Sequence, residues 1–269
     1  MPVSAVVCAR VERDTVFAPG IARALHAWLL DRIRQEDAKG AARLHDGSRL
    51  KPITVSPIQG AVSSVTPGWV RVVTGTPLWF RCTALNPEAE QLLVQSLDIA
   101  KDGTLDVGGL CLGGLTVHTE EQGHPWAGTV SYQGLFDSAL AAPSSETLVM
   151  RSYSPTTFRT QEGNLPFPLP ALFFRTLIEK WNRFSPIDFG SFLTAFEERV
   201  RVQSYQCQSH RMHFGRFSEV GFSGTVTFDL RHLEDPLLAK VARCLGAYAF
   251  YGGVGAKTTM GFGQSRMVT

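Results

Sequence analysis

Cysteine is scarce and scattered. The chain has five, Cys8, Cys82, Cys111, Cys207 and Cys244, an odd number with no CxxC pair and none at metal-ligand spacing from a group of histidines. That excludes a zinc ribbon and a disulfide framework. Long apolar runs are missing as well. The opening MPVSAVVCARVERD alternates and then turns charged, unlike the apolar stretch of a signal peptide, and no segment supplies the roughly 20 apolar residues of a membrane span. Nor is there a strong charge of one sign: the formal net charge is +2 and the isoelectric point about 8.3. A nucleic-acid partner is therefore not announced by the total, and a basic groove would have to come from local clustering. No stretch is polar enough to read as disordered. These absences lead us to expect a soluble protein of a reducing, cytoplasmic compartment with no membrane partner. What remains is 269 residues, 44% of them apolar, sufficient for one large domain or two of ordinary size.

The pattern along the chain predicts two similar halves. Val3 to Val11 reads as a strand, and Pro19 opens a helix with Ile21, Leu25, Trp28, Leu29 and Ile33 on one stripe. A short helix from Gly40 to Leu44 leads to His45-Asp46-Gly47. Pro52 to Ile58 reads as an extended edge or hairpin strand because its prolines cannot donate within a sheet centre. Trp69–Thr74 and Leu78–Ala84 read as strands. Pro87–Leu97 reads as a helix capped by Asn86, and Leu110–Thr119 as a returning strand. After the connection Gly123 to Gly128 the order repeats: strand Glu146–Tyr153, helix Ala171–Arg183, strands Val200–Tyr205 and Phe222–Leu230, helix Pro236–Phe250, and a final strand Gly263–Val268. Two β-α-β-β-α-β units in tandem make an α+β protein of two ferredoxin-like domains, 1–122 and 129–269.

The densest local signal is the run from Tyr251 to Gly263, with glycines at 252, 253, 255, 261 and 263. Such a run allows positive φ angles and close approach of backbone to a ligand, and exposed N–H groups in it would form an anion cradle beside Lys257. A phosphate backbone is the natural ligand; a purely structural glycine turn is the competing reading. A P-loop does not fit, because Ala256 separates Gly255 from Lys257 and the segment follows a helix instead of opening one.

Four sets of residues could carry chemistry or bind RNA. His45 lies in a loop between a helix end and a strand, a usual place for a catalytic group and equally for a surface histidine. His26 sits on the first helix beside the Leu25 stripe, where a half-buried histidine with a satisfied hydrogen bond is the plainer reading. Lys51 precedes Pro52, and Arg49 belongs to a basic run with Arg32, Arg34, Lys39 and Arg43. In SHRMHFGRF, His210, Arg211, His213 and Arg216 alternate with Phe214 and Phe217, a mixture suited to phosphate pairing and base stacking or to the polar face of a hairpin. His124 in GHPWAG is read as holding the connection between the halves.

GVGAKTTMGFG resembles the C-terminal glycine-rich motif of the repeat-associated RNA-binding (RAMP) superfamily. LHAWLLDRI, ARLHD and LKPITVSPI are similar to the N-terminal helix, histidine loop and strand of the CRISPR-associated family-six endoribonucleases, and GHPWAG and SPTTF also fit. The resemblance implies a tandem ferredoxin-like nuclease, without metal or other cofactor, that cuts within the repeats of a CRISPR transcript. The RNA's own 2′-hydroxyl would attack, leaving a 2′,3′-cyclic phosphate. It implies as partners the precursor and the mature guide RNA, and admits subunits of an interference complex and a homodimer. His45 matches the family's general acid/base, and His26, 19 residues earlier, the second histidine of members that pair two. Lys51 matches a lysine able to stabilise phosphorane charge. Leu30 stands near where other members place a tyrosine, so the tyrosine-type triad does not match. RNA contacts are expected from Gly252, Gly253, Gly255, Lys257, Thr258, Gly261, Phe262 and Gly263, with Arg49, Arg211 and Arg216. The alternative is a non-cutting RNA-binding RAMP subunit that keeps the glycine-rich segment without the histidine pair.

Overall fold

The structure is a computed structural model and describes residues 1–44, 49–66, 69–99, 103–214 and 217–268. Two units emerge. The first gathers Met1–Thr129, Met212–Glu219 and Thr259–Gly261; the second gathers Val130–Arg211, Val220–Thr258 and Phe262–Thr269.

The first unit runs β1 (Val3–Val11), α1 (Ala22–Glu36), α2 (Ala38–Leu44), β2 (Ile53–Val55), β3 (Pro77–Ala84), α3 (Pro87–Ile99) and β4 (Leu110–His118). Four strands of its larger sheet run in the order β2-β3-β1-β4 with every neighbour antiparallel, the arrangement of a split β-α-β fold, and short strands extend it, Leu105–Val107 beyond β4 among them. Val3, Ala5, Val7, Ala9 and Val11 alternate along the central strand and share one core with Leu25, Leu29 and Ile33 of α1 and Leu93 and Leu97 of α3. Burying each of these leucines and isoleucines is worth about 1.5–3 kcal/mol. β2 lies at the sheet edge with Pro52 just before it and Pro57 just after it, where a missing donor costs least. Asn86 caps α3, its Oδ1 accepting from the Ala89 amide at 2.8 Å. Asp37 follows α1 and accepts from the Gly40 amide at 2.8 Å, so one carboxylate supports the first turn of α2. That helix delivers the chain to His45.

One expected strand is placed differently. Trp69–Val72 joins Thr15–Phe17 and Ser63–Thr66 in a separate three-stranded sheet and does not enter the main one.

The second unit opens with α4 (Tyr132–Ala141) and continues β5 (Thr147–Thr156), α5 (Pro170–Phe184), α6 (Leu193–Arg199), β6 (Arg201–His213), β7 (Ser218–Asp229), α7 (Pro236–Gly252) and β8 (Ser265–Met267). The sheet order β6-β7-β5-β8 repeats that of the first unit, so the chain is a tandem of ferredoxin-like folds. Phe173, Phe174, Leu177 and Trp181 on α5 are fully buried, as are Leu245 and Tyr248 on α7. Trp181 stacks on Phe189 with ring centroids 4.8 Å apart. Pro236 follows the Asp235 cap, whose Oδ1 accepts from the Leu237 amide at 2.8 Å, which fixes where α7 begins. Among the described residues, no helix is long and apolar enough to cross a membrane.

Candidate functional site

Two segments distant in sequence meet the start of α1 within the first unit. From one side comes the glycine-rich segment. The Gly261 amide donates to the Val55 carbonyl of β2 at 3.1 Å, and a Cβ at Gly261 would stand 2.7 Å from the Ala22 Cβ and 3.5 Å from Pro57. From the other side comes the end of the β6–β7 hairpin. A Cβ at Gly20 would lie 2.0 Å from the His213 carbonyl oxygen, and the Arg23 guanidinium carbon is 6.0 Å from the centre of the Phe217 ring. His26 is half-buried one turn beyond Ala22 and three residues beyond Arg23, so it shares a helix face with both neighbours of these contacts. The structure thus brings His26, Gly261 and the tip of the SHRMHFGRF segment to one end of one helix.

Lys51 is half-buried two residues before β2, the strand that accepts from Gly261, and Arg49 is exposed. His45 follows α2 directly; with Asp46, Gly47, Ser48 and Arg216 it lies outside the described residues.

The glycine-rich segment corrects the expectation of exposed backbone donors. Gly252, Gly253, Gly255, Gly261, Phe262 and Gly263 are buried, and most of the amides that would line a cradle bond within the protein. In the second unit, Gly253 donates to the Ala249 carbonyl (2.9 Å), Val254 to Gly263 (2.9 Å), Ala256 to Thr157 (2.8 Å) and Gly263 to Pro155 (2.9 Å). The Gly255 amide reaches Thr176 Oγ1 at 3.2 Å. Here glycine serves close packing of backbone on backbone. The residues left half-buried are Ala256, Lys257, Thr259 and Met260. Among the described non-glycine residues Lys257 alone has a positive φ, 59°. An L-residue in that region carries roughly 1–2 kcal/mol of strain, which the surrounding structure must hold in place.

Thr258 is buried and its hydroxyl is engaged. Lys180 of α5 donates from Nζ to Thr258 Oγ1 at 3.0 Å and to the Gly252 carbonyl at 2.6 Å. Only 4% of Lys180 is exposed, and burial lowers its pKa from 10.5 to about 7. The sequence carried a signal for it: in LFFRTLIEKW, Lys180 falls on the stripe of Phe173, Leu177 and Trp181, a place where a charge is expensive without partners.

SHRMHFGRF is the end of a hairpin. His210 Nε2 and Ser223 Oγ share a hydrogen bond at 2.7 Å, and His213 Nδ1 and Ser218 Oγ share one at 2.9 Å. Alternation along β6 sends Arg211 and His213 to the face opposite His210, and both are exposed. Of the two phenylalanines expected to stack on bases, Phe214 is buried and Phe217 covers it, ring centroids 5.2 Å apart; Phe217 keeps 38% of its surface. In GHPWAG, His124 Nδ1 accepts from the Trp126 amide at 3.2 Å and its ring lies 4.7 Å from Trp79, the geometry of a packed histidine. Burial and the nearby His118 hold its pKa below the usual value. Among the described residues, no group of three or more His, Cys, Asp and Glu could hold a metal ion.

Residues 1–137 match the family described as CRISPR Cas6 N-terminal domain, and residues 150–265 match CRISPR-associated endoribonuclease Cas6. The Cas6 (TTHB231) product complex aligns over 100% of both chains at 26% identity with a TM-score of 0.82. The Cas6 (TTHA0078) product complex does so at 26% identity and 0.80. Thermus thermophilus Cas6 (TTHB231) aligns over 100% of this chain and 98% of its own at 27% identity and 0.72. Among curated proteins no relative was found.

Proposed function

The chain belongs to the CRISPR-associated endoribonuclease Cas6 family, and from that premise we propose how its own residues bind and cut repeat RNA. Its function is that of an RNA endonuclease that processes CRISPR repeat RNA. The observation that carries the assignment of residues is the convergence on α1: the helix that bears His26 is met by Gly261 and by the hairpin tip with His213 and Phe217.

The reaction needs a base for the 2′-hydroxyl proton, an acid for the departing 5′-oxygen, and positive charge near the phosphorane. We assign the two proton transfers to His26 and His45 and the charge to Lys51. The 2′-oxygen forms a bond to phosphorus as the bond to the 5′-oxygen breaks, giving a 2′,3′-cyclic phosphate and a 5′-hydroxyl end. Histidine suits both roles because its ordinary pKa, about 6.5, lies near working pH. We assign phosphate contacts with the RNA to Arg49, Arg211, Arg216 and Lys257. In this reading 1–122 carries the histidines and 129–269 the glycine-rich segment. Two relatives are solved as product complexes, which supports retention of the guide RNA after cutting. Its transfer in the cytoplasm to an interference complex, by a single copy or a homodimer, belongs to the same reading.

The test is single-turnover cleavage of cognate repeat RNA in EDTA by the wild type, His26→Ala and His45→Ala. Each variant is expected to lose about 10²–10⁴-fold in rate, with RNA affinity changed less than about twofold. Cleavage at the wild-type rate by either variant would remove that histidine from the assignment.

A further inference from the structure

Lys180 has no role in the chemistry just assigned, yet it occupies an unusual place. Its ammonium is buried in the second unit, and among the described residues it makes no ion pair. A lysine so placed must find partners for its donors, and both partners lie on one short stretch of chain. One is the carbonyl of Gly252, the last residue of α7; the other is the hydroxyl of Thr258. Five residues separate them, and Lys257, with its left-handed backbone, is the one immediately before the second anchor.

We propose that Lys180 is a positioning residue for RNA binding: it ties Gly252 to Thr258 and thereby fixes the backbone that presents Lys257 to a phosphate of the RNA. The idea rests on the reading of Lys257 as an RNA contact. The geometry supports a specific brace over general core packing. A lysine at an interior helix position leaves an apolar side chain unused, whereas methionine would fill the same space at no desolvation cost. A hydroxyl accepting from a buried lysine is also held in one rotamer, and Thr258 Cγ2 is then set 3.0 Å from the place a Cβ would take on Gly253. The segment is therefore clamped from its own interior side. The residue that carries the strain is the half-buried cation.

Two tyrosines packed in this layer supply no anion for Lys180. Tyr248 lies against Gly252, and burial raises its pKa well above the ordinary tyrosine value. Tyr132, packed on Trp181 with centroids 5.0 Å apart, is raised as well. Both stay neutral, and Lys257 is itself a cation. The brace survives loss of a proton, since a neutral amine still has two N–H groups to donate.

The experiment measures cognate repeat RNA binding against salt for the wild type, Lys180→Met, Lys257→Ala and the double variant, with Thr258→Val as a second probe of the brace. Lys257→Ala is expected to weaken binding about tenfold and to lower the slope of log K against log salt by about 0.7–0.9, one phosphate contact. Lys180→Met is expected to reproduce most of both changes although it cannot touch RNA, and Thr258→Val part of them. The double variant should be no worse than Lys257→Ala alone. A lower melting temperature with unchanged affinity and slope would make Lys180 merely structural and overturn the proposal. Multiplying effects in the double variant would overturn it too. If Lys257→Ala itself binds as the wild type does, the reading of the segment as an RNA contact fails first. Should Lys180→Met not fold, Thr258→Val decides: an unchanged salt slope there overturns the brace.

Discussion

Lys180 shows how one side chain ties stability to pH. Unfolded, it titrates near 10.5; folded, near 7, because burial penalises the ammonium. Between these values the unfolded chain binds the extra proton, so stability rises as pH climbs from about 7 towards 10, and below 7 this group adds no further slope. The full difference is at most roughly 5 kcal/mol. Thermal midpoints recorded at pH 7, 8 and 9 should climb in the wild type relative to Lys180→Met; parallel lines for the two proteins would contradict the assignment. At this scale the sequence was legible where chemistry and spacing coincide. His26 reads correctly as half-buried beside a leucine stripe. Lys180 stayed hidden because its partners, Gly252 and Thr258, are more than 70 residues away along the chain. Phe214 was read as a stacking surface because nothing local tells that Phe217 covers it.

The elements that position the site are the ends of α1, of the β6–β7 hairpin and of the glycine-rich segment. Gly261 is where two of them touch. It has φ +88°, and an added Cβ would sit 2.7 Å from Ala22 of α1. Gly261→Ala is expected to cost about 2–4 kcal/mol, combining backbone strain with overpacking, and to slow cleavage by displacing the segment from the helix that bears His26. Gly75→Ala is the control: its φ is +82° but nothing lies within 4 Å of the added methyl, so only the strain, about 1–2 kcal/mol, remains. Equal losses in the two variants by chemical denaturation would show that the contact with Ala22 is slack. Most elements follow from periodicity and caps, as with Leu25, Leu29 and Ile33 on α1 or Asn86 before α3. The full length of the β6–β7 hairpin did not, because β6 is exposed along most of its length and has no apolar alternation to mark it. Helix α4 also went unread, although Ser131 caps it and Tyr132, Leu135 and Ala139 share its buried face. Trp69–Val72 looked like any other strand; only pairing could assign it to the small sheet. The glycines do not supply the exposed donors expected of them, since their amides mostly bond inside the protein.

At the scale of the molecule the two β-α-β-β-α-β orders were legible because each rests on two amphipathic helices and their alternating strands, and the sheet orders β2-β3-β1-β4 and β6-β7-β5-β8 realise them. What strand order cannot reveal is that 212–219 and 259–261, remote in sequence, belong with the first unit. That grouping sets Phe217 beside Arg23 of α1, within 6.0 Å of its guanidinium carbon. Cleavage by the substrate's own 2′-hydroxyl is the central claim for the assembled protein, and one substrate tests it. Repeat RNA carrying a single 2′-deoxy nucleotide at the scissile position should bind as tightly as the all-ribose RNA and remain uncut in single turnover, while the ribose control ends in a 2′,3′-cyclic phosphate. Cutting of the deoxy substrate at the ribose rate would mean that water or another group attacks, and the roles given to His26 and His45 would have to be abandoned.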